Sequence, residues 1–174
     1  MALDIKILNL LCDLHKKNFF GEIESVIDMG DQDLNLNYDE LNYNLGYMEL
    51  EKFRDSLNHA KSFPSRPRLS SSVLWKIFGL KVTDRLDIIQ LERIKGDPID
   101  NFFLIDLNFP ISEQVKIGQY DLVTDFGNNE HPFNITETYK TMHNLCKKNG
   151  YLLINQCVFG GNGFYNFDVA FFEN

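Results

Sequence analysis

Apolar positions recur along the chain in two rhythms. Leu3, Ile7, Leu10, Leu11 and Leu14 fall at helical spacing. They predict an amphipathic helix over residues 3–18, with Gly21 as its stop. IESVIDMG at 23–30 is a β-branched run ending in an acid and a glycine, the form of a first strand entering a ligand-binding turn. Ser70, Ser71 and Ser72 ahead of VLWKIF predict a helix start, and Gly79 its C-cap. LDIIQL at 86–91 reads as a strand with Glu92 just past it, and FFLIDL at 102–107 as another. Tyr120, Leu122, Val123 and Phe126 form a short, nearly continuous apolar run between Gly118 and the turn cluster Gly127-Asn128-Asn129. Such a run suits a strand buried on both faces of a parallel sheet. Asn134 with Glu137 three residues on predicts a capping box. The helix it opens carries Tyr139, Met142, Leu145 and Cys146 as its stripe, Lys147 and Lys148 at its C-terminal dipole, and Gly150 as its end. A last apolar strand follows at 151–158.

Strands alternating with helices predict an α/β fold, a doubly wound and mostly parallel sheet in a single domain over residues 1–174. Residues 36–69 fit that alternation least. Met48, Phe53 and Leu57 have helical spacing, and Pro64 and Pro67 impose a loop. This stretch reads as a lid over the pocket mouth or as an external helix.

Composition narrows the function classes. The chain has 174 residues, 44% of them hydrophobic and 24% charged, as in an ordinary globular protein. A net charge of −8 argues against nucleic acid as the main partner. Cys12, Cys146 and Cys157 are odd in number and widely spaced, which reads as reduced thiols in a cytoplasmic protein. No stretch approaches a membrane span. His15, His59 and His143 lack ligand spacing, so no metal site is expected.

Acids recur in or near the ends of the first four strands: Asp28, Glu92, Asp106 and Asp125. A nucleoside-like cofactor needs that arrangement, because ribose hydroxyls and an adenine amino group both seek acceptors. Asp125, Asn128, Asn129, Glu130 and His131 crowd the mouth of one strand, where open α/β sheets bind ligands.

YDLVTDFGNNEH followed by a helix, KKNGYLLINQ and GNGFYNF resembles the second half of class I S-adenosylmethionine-dependent methyltransferases. SVIDMGDQD stands where that family has its first glycine-rich loop, and FFLIDLNFP where its third strand carries an acid near the adenine. The resemblance covers residues 23–35 and 86–168. Here KKNG replaces a KPGG-type turn, and Gln32 and Leu34 replace loop glycines. The resemblance implies methyl transfer from S-adenosyl-L-methionine to a small-molecule acceptor. Asp28, Gly30, Gln32, Asp33, Glu92, Asp106, Leu107, Asp125 and Phe126 would bind the cofactor, and Glu130 and His131 would act on the acceptor. An EH pair at this place also serves to cap the following helix. Phe164, Tyr165 and Phe167 would form an aromatic wall or pack in the core. The family fold continues with further strands, so an open sheet edge would invite a second copy or a partner chain. The alternative is a catalytically inactive domain that keeps the fold as a binding or scaffold module. A nicotinamide-dependent reductase is disfavoured, because GxGxxG is absent after the first strand.

Overall fold

The computed structural model describes residues 2–34, 38–46, 54, 70–90, 97–156 and 163–173. A two-residue strand β1 (Ala2–Leu3) leads into α1 (Ile5–Lys16), whose N-cap Asp4 accepts from the amides of Lys6 and Ile7. Gly21 is not its stop. Asn18 takes the left-handed conformation (φ 60°) two residues beyond the helix, and Gly21 lies in a short 3-10 turn over Phe19–Glu22. Then come β2 (Ser25–Met29), β3 (Asp33–Leu34), α2 (Tyr38–Leu45) and α3 (Ser72–Ile77). They are followed by β4 (Val82–Asp87), β5 (Asn101–Leu104), α4 (Ile111–Gln114) and β6 (Tyr120–Phe126). The chain closes with α5 (Ile135–Leu145), β7 (Cys146–Asn155) and α6 (Ala170–Glu173).

Five of these strands form one parallel sheet in the order β5-β4-β2-β6-β7, and β1 pairs with β3 apart from it. The order reverses between β2 and β6. The fold is therefore a doubly wound, Rossmann-like α/β sheet, with its switch point beside the first long strand.

Strand alternation divides the core. Val26, Leu122 and Phe126 pack with Leu8, Leu11, Leu74 and Trp75, under α1 and α3. Ile27, Met29, Leu86 and Val123 pack on the other face with Ile105, Leu107, Met142 and Leu145, under α5. All five positions of β2 are buried, as expected where helices cover both faces.

Several boundaries move from the sequence reading. The second sheet strand is Val82–Asp87, not 86–91. Ile88 and Ile89, apolar enough to suggest a strand, lie past its end and are 56% and 62% exposed. Glu92 lies outside the described residues, as do the loop at 62–68 and, apart from Arg54, the helix expected at 48–60. α5 ends at Leu145, and Cys146 already belongs to β7, so Gly150 is not the helix end. Lys147 accordingly pairs with Asp121 at 2.8 Å instead of serving the helix dipole.

Candidate functional site

Each sheet strand delivers its carboxyl end to one edge, and the turn after β2 is built for close approach there. Gly30 has φ +88°, and a Cβ on it would stand 2.8 Å from Asn128 Oδ1. Replacing Gly30 with alanine is expected to destabilise the fold by about 1–2 kcal/mol through the left-handed backbone. A lowered urea midpoint would report it, and an unchanged midpoint would remove the conformational argument.

Beyond Gly30 the loop is tied down by the chain itself. The Asp31 amide donates to Asp87 Oδ2 at 2.7 Å, and the Asp31 carboxylate pairs with the buried Arg85 guanidinium. Gln32 Nε2 donates to the Met29 carbonyl at 2.8 Å, while Gln32 Oε1 is buried with no partner. Asp33 sits in β3, in register with Ala2 of β1.

Asp28 is turned away from this edge. It lies on the α3 face and accepts from Trp75 Nε1 at 3.0 Å and from the Ser71 and Thr124 hydroxyls. Burial pushes its carboxyl above the usual range, against the pull of those donors. Ser71 thus does not cap α3 with its side chain; it holds the helix start to β2 through Asp28. Phe126 faces the same side and stacks on Trp75 with ring centres 6.3 Å apart.

Asp125 points to the opposite face, so the structure does not gather Asp28 and Asp125 into one hollow. Asp125 accepts from the Asn128 amide at 2.8 Å and from Gln156 Nε2. Burial pushes its pKa up to about 7, with the Asn128 and Asn129 amides opposing. Tyr139 lies against Asn129, and burial raises its phenol in turn.

A cavity of about 130 Å³ opens where β4, β5 and β6 end. It is lined by Asp87, Ile88, Ile105, Asp106, Leu107, Asn108, Asn128, His131 and Pro132. Four residues of the sequence reading meet there: Asp106, Leu107, Asn128 and His131. Asp106 caps the turn at Asn108, taking its amide at 2.9 Å and its Nδ2 at 2.8 Å, both on Oδ1. Asp87 was missed, because the second strand was placed four residues late. Its sequence signal was present all the same: an acid directly before the exposed Ile88-Ile89 pair.

Glu130 and His131 form a turn and do not cap α5, whose N-cap is Asn134 accepting from the Glu137 amide at 3.2 Å. His131 is 43% exposed, with Nε2 at 3.5 Å from Oε1 of the buried Glu130. The Glu130 carbonyl accepts from the amides of Phe164 at 2.6 Å and Tyr165 at 3.3 Å. Gly163 is required for that closure, since a Cβ on it would fall 2.2 Å from the Glu130 carbonyl oxygen. Phe164 meets Phe133 edge-on at 6.0 Å, whereas Phe167 is buried against Tyr139 and Phe171. The expected aromatic wall is therefore divided between edge and core.

No protein-family model, curated protein or solved structure matches this chain. The fold and the groups at its carboxyl edge carry the functional argument. Among the described residues, no helix is long and apolar enough to cross a membrane.

Proposed function

We propose that the protein transfers a methyl group from S-adenosyl-L-methionine to a small-molecule acceptor. The observation that carries this reading is the cavity at the switch-point edge, where Asp87 and Asp106 stand among Ile88, Ile105 and Leu107. Carboxylate acceptors beside apolar walls suit ribose hydroxyls and an adenine ring. The cavity is smaller than the roughly 300–1,000 Å³ of whole ligand sites, so it would take one end of such a molecule. The buried, unpartnered Gln32 Oε1 on the first loop would accept from the amino group at the other end. Both features fit the cofactor, with Asp87 in the role the sequence reading gave to Glu92.

The cofactor would supply an already activated sulfonium methyl. The chain's part is alignment and exclusion of water, and alignment alone contributes about 7–11 kcal/mol in favourable cases. His131, open to solvent and backed by Glu130, would take the proton from an acceptor hydroxyl or amine.

A second reading is a non-catalytic binding module. The first loop favours it, because Asp28 and Asp31 spend their carboxylates inside the protein. Thermal melting of the full chain with S-adenosylmethionine or S-adenosylhomocysteine separates the two. Ligand at a hundred times its dissociation constant should stabilise by about 2.7 kcal/mol. Asp87→Asn should shrink that shift. An unshifted transition with both ligands would leave the binding module as the surviving reading.

A further inference from the structure

The C-terminal segment leaves apolar surface in water beside an open groove. α6 is attached to α5 through aromatic rings. Phe171 lies 5.4 Å from Tyr139, and Phe167 and Phe172 meet Phe171 at 5.2 and 5.1 Å. Phe167 is the buried member of this cluster, while Phe171, Phe172 and Val169 are 51%, 48% and 56% exposed. A groove of about 480 Å³ runs along α5 next to them. Its apolar lining is Ile135, Tyr139 and Phe171, and the exposed Lys140 and His143 border it. Clustered apolar side chains of this kind mark interaction surfaces.

The side chains outside the groove decide what covers it. A small apolar molecule in the groove would leave Val169 and Phe172 in water. A second copy of the chain buries both, because it brings a groove for them and offers its own Phe172 in return. A patch that holds a projection and a recess side by side meets its own copy about a two-fold axis, where every contact occurs twice.

Charge agrees with that occupant. The projecting segment is flanked by the exposed acids Asp168 and Glu173, and the groove by Lys140 and His143. Among the described residues, Glu173 and His143 make no ion pair, and Lys140 reaches Glu137 one turn back at 3.5 Å. A net charge of −8 holds copies apart at long range, so a basic border is where an acidic segment is received.

We propose that the chain associates as a two-fold dimer, in which Phe172 of each copy enters the α5 groove of the other and Glu173 is set against the partner's Lys140. This stands apart from the methyl-transfer reading, which concerns the carboxyl edge of the sheet.

Sedimentation velocity on the full chain, across a concentration series, tests the proposal. The wild type is expected to reach the mass of two chains. Phe172→Ser, at a half-exposed position, should return it to one chain with its melting temperature unchanged. Glu173→Lys and Lys140→Glu should each weaken association about tenfold, because both symmetry-related pairs become like-charge contacts. Mixed in equal amounts, these two variants should associate as tightly as the wild type, since each then meets opposite charge at both contacts. Mixing would not relieve a defect inside one chain. A wild type that stays monomeric would overturn the proposal and leave the groove to a small apolar ligand. A dimer that Phe172→Ser leaves intact, or charge variants that remain apart when mixed, would overturn it as well by placing the interface elsewhere.

Discussion

Replacing Arg85 with methionine is expected to destabilise the protein by about 3–5 kcal/mol, the scale of breaking a buried ion pair from one side. Arg85 lies in β4 with its guanidinium against the Asp31 carboxylate and 3.5 Å from Asp97, and the three side chains are 2%, 0% and 3% exposed. Methionine fills much of the volume but withdraws the cation from both carboxylates. Asp97 also accepts from the Ser70 hydroxyl at 2.6 Å, so the loss would spread to the segment leading into α3. Urea denaturation of Arg85→Met and of Arg85→Met with Asp97→Asn checks this. The double variant should recover part of the loss, because it neutralises one stranded carboxylate. A single variant within about 1 kcal/mol of wild type, the value of an exposed pair, would show that the cluster contributes no more than a surface contact.

The second large effect is a pH dependence that runs opposite to that of most carboxylates. Asp125 titrates near pH 7 in the folded protein and near 3.9 in the unfolded chain. Between those values the folded state holds a proton that the unfolded state has released, so the slope of stability against pH is negative. The stabilisation is complete below about pH 4 and is lost by about pH 7, a change on the order of a few kcal/mol at full burial. Asn in place of Asp125 stays neutral throughout. The stability gap between Asp125→Asn and wild type should therefore grow in the variant's favour from pH 5 to pH 8. Asp28, raised by burial as well, bends the wild-type curve in the same direction, but the comparison cancels it. A gap that is constant across that range would mean Asp125 ionises normally.

How much of this was legible in the sequence depended on where each polar group finds its partner. β6 and α5 were readable because their signals are local: an unbroken apolar run, then Asn134 capping the Glu137 amide. β4 was not. Its buried residues include Thr83, Asp84 and Arg85, which look like a surface segment in a hydropathy reading. They are tolerated inside because their partners come from elsewhere: Tyr120 Oη donates to Asp84 at 2.6 Å, Asn101 donates to it twice, and Arg85 meets Asp31 and Asp97. The reading slid instead to Ile88 and Ile89, and Asp87 was lost with the register. The same blindness affected Asp28. An acid before a glycine at a strand end reads as a ligand group, and nothing local shows that Ser71, Trp75 and Thr124 have already claimed it.

The parallel order of the sheet bears on how the chain is made. β2 is synthesised early and has apolar side chains on both faces, yet its neighbour β6 arrives late. The Ser25–Asp121 hydrogen bonds join residues 96 apart. No hairpin can shelter β2 in the meantime, since each pairing within the five-stranded sheet is parallel and must wait for a crossover. The nascent chain must carry an unsheltered apolar segment until β6 has emerged. Folding should accordingly be slow for a domain of this size, and yield in a cell should depend on chaperones that shield such segments.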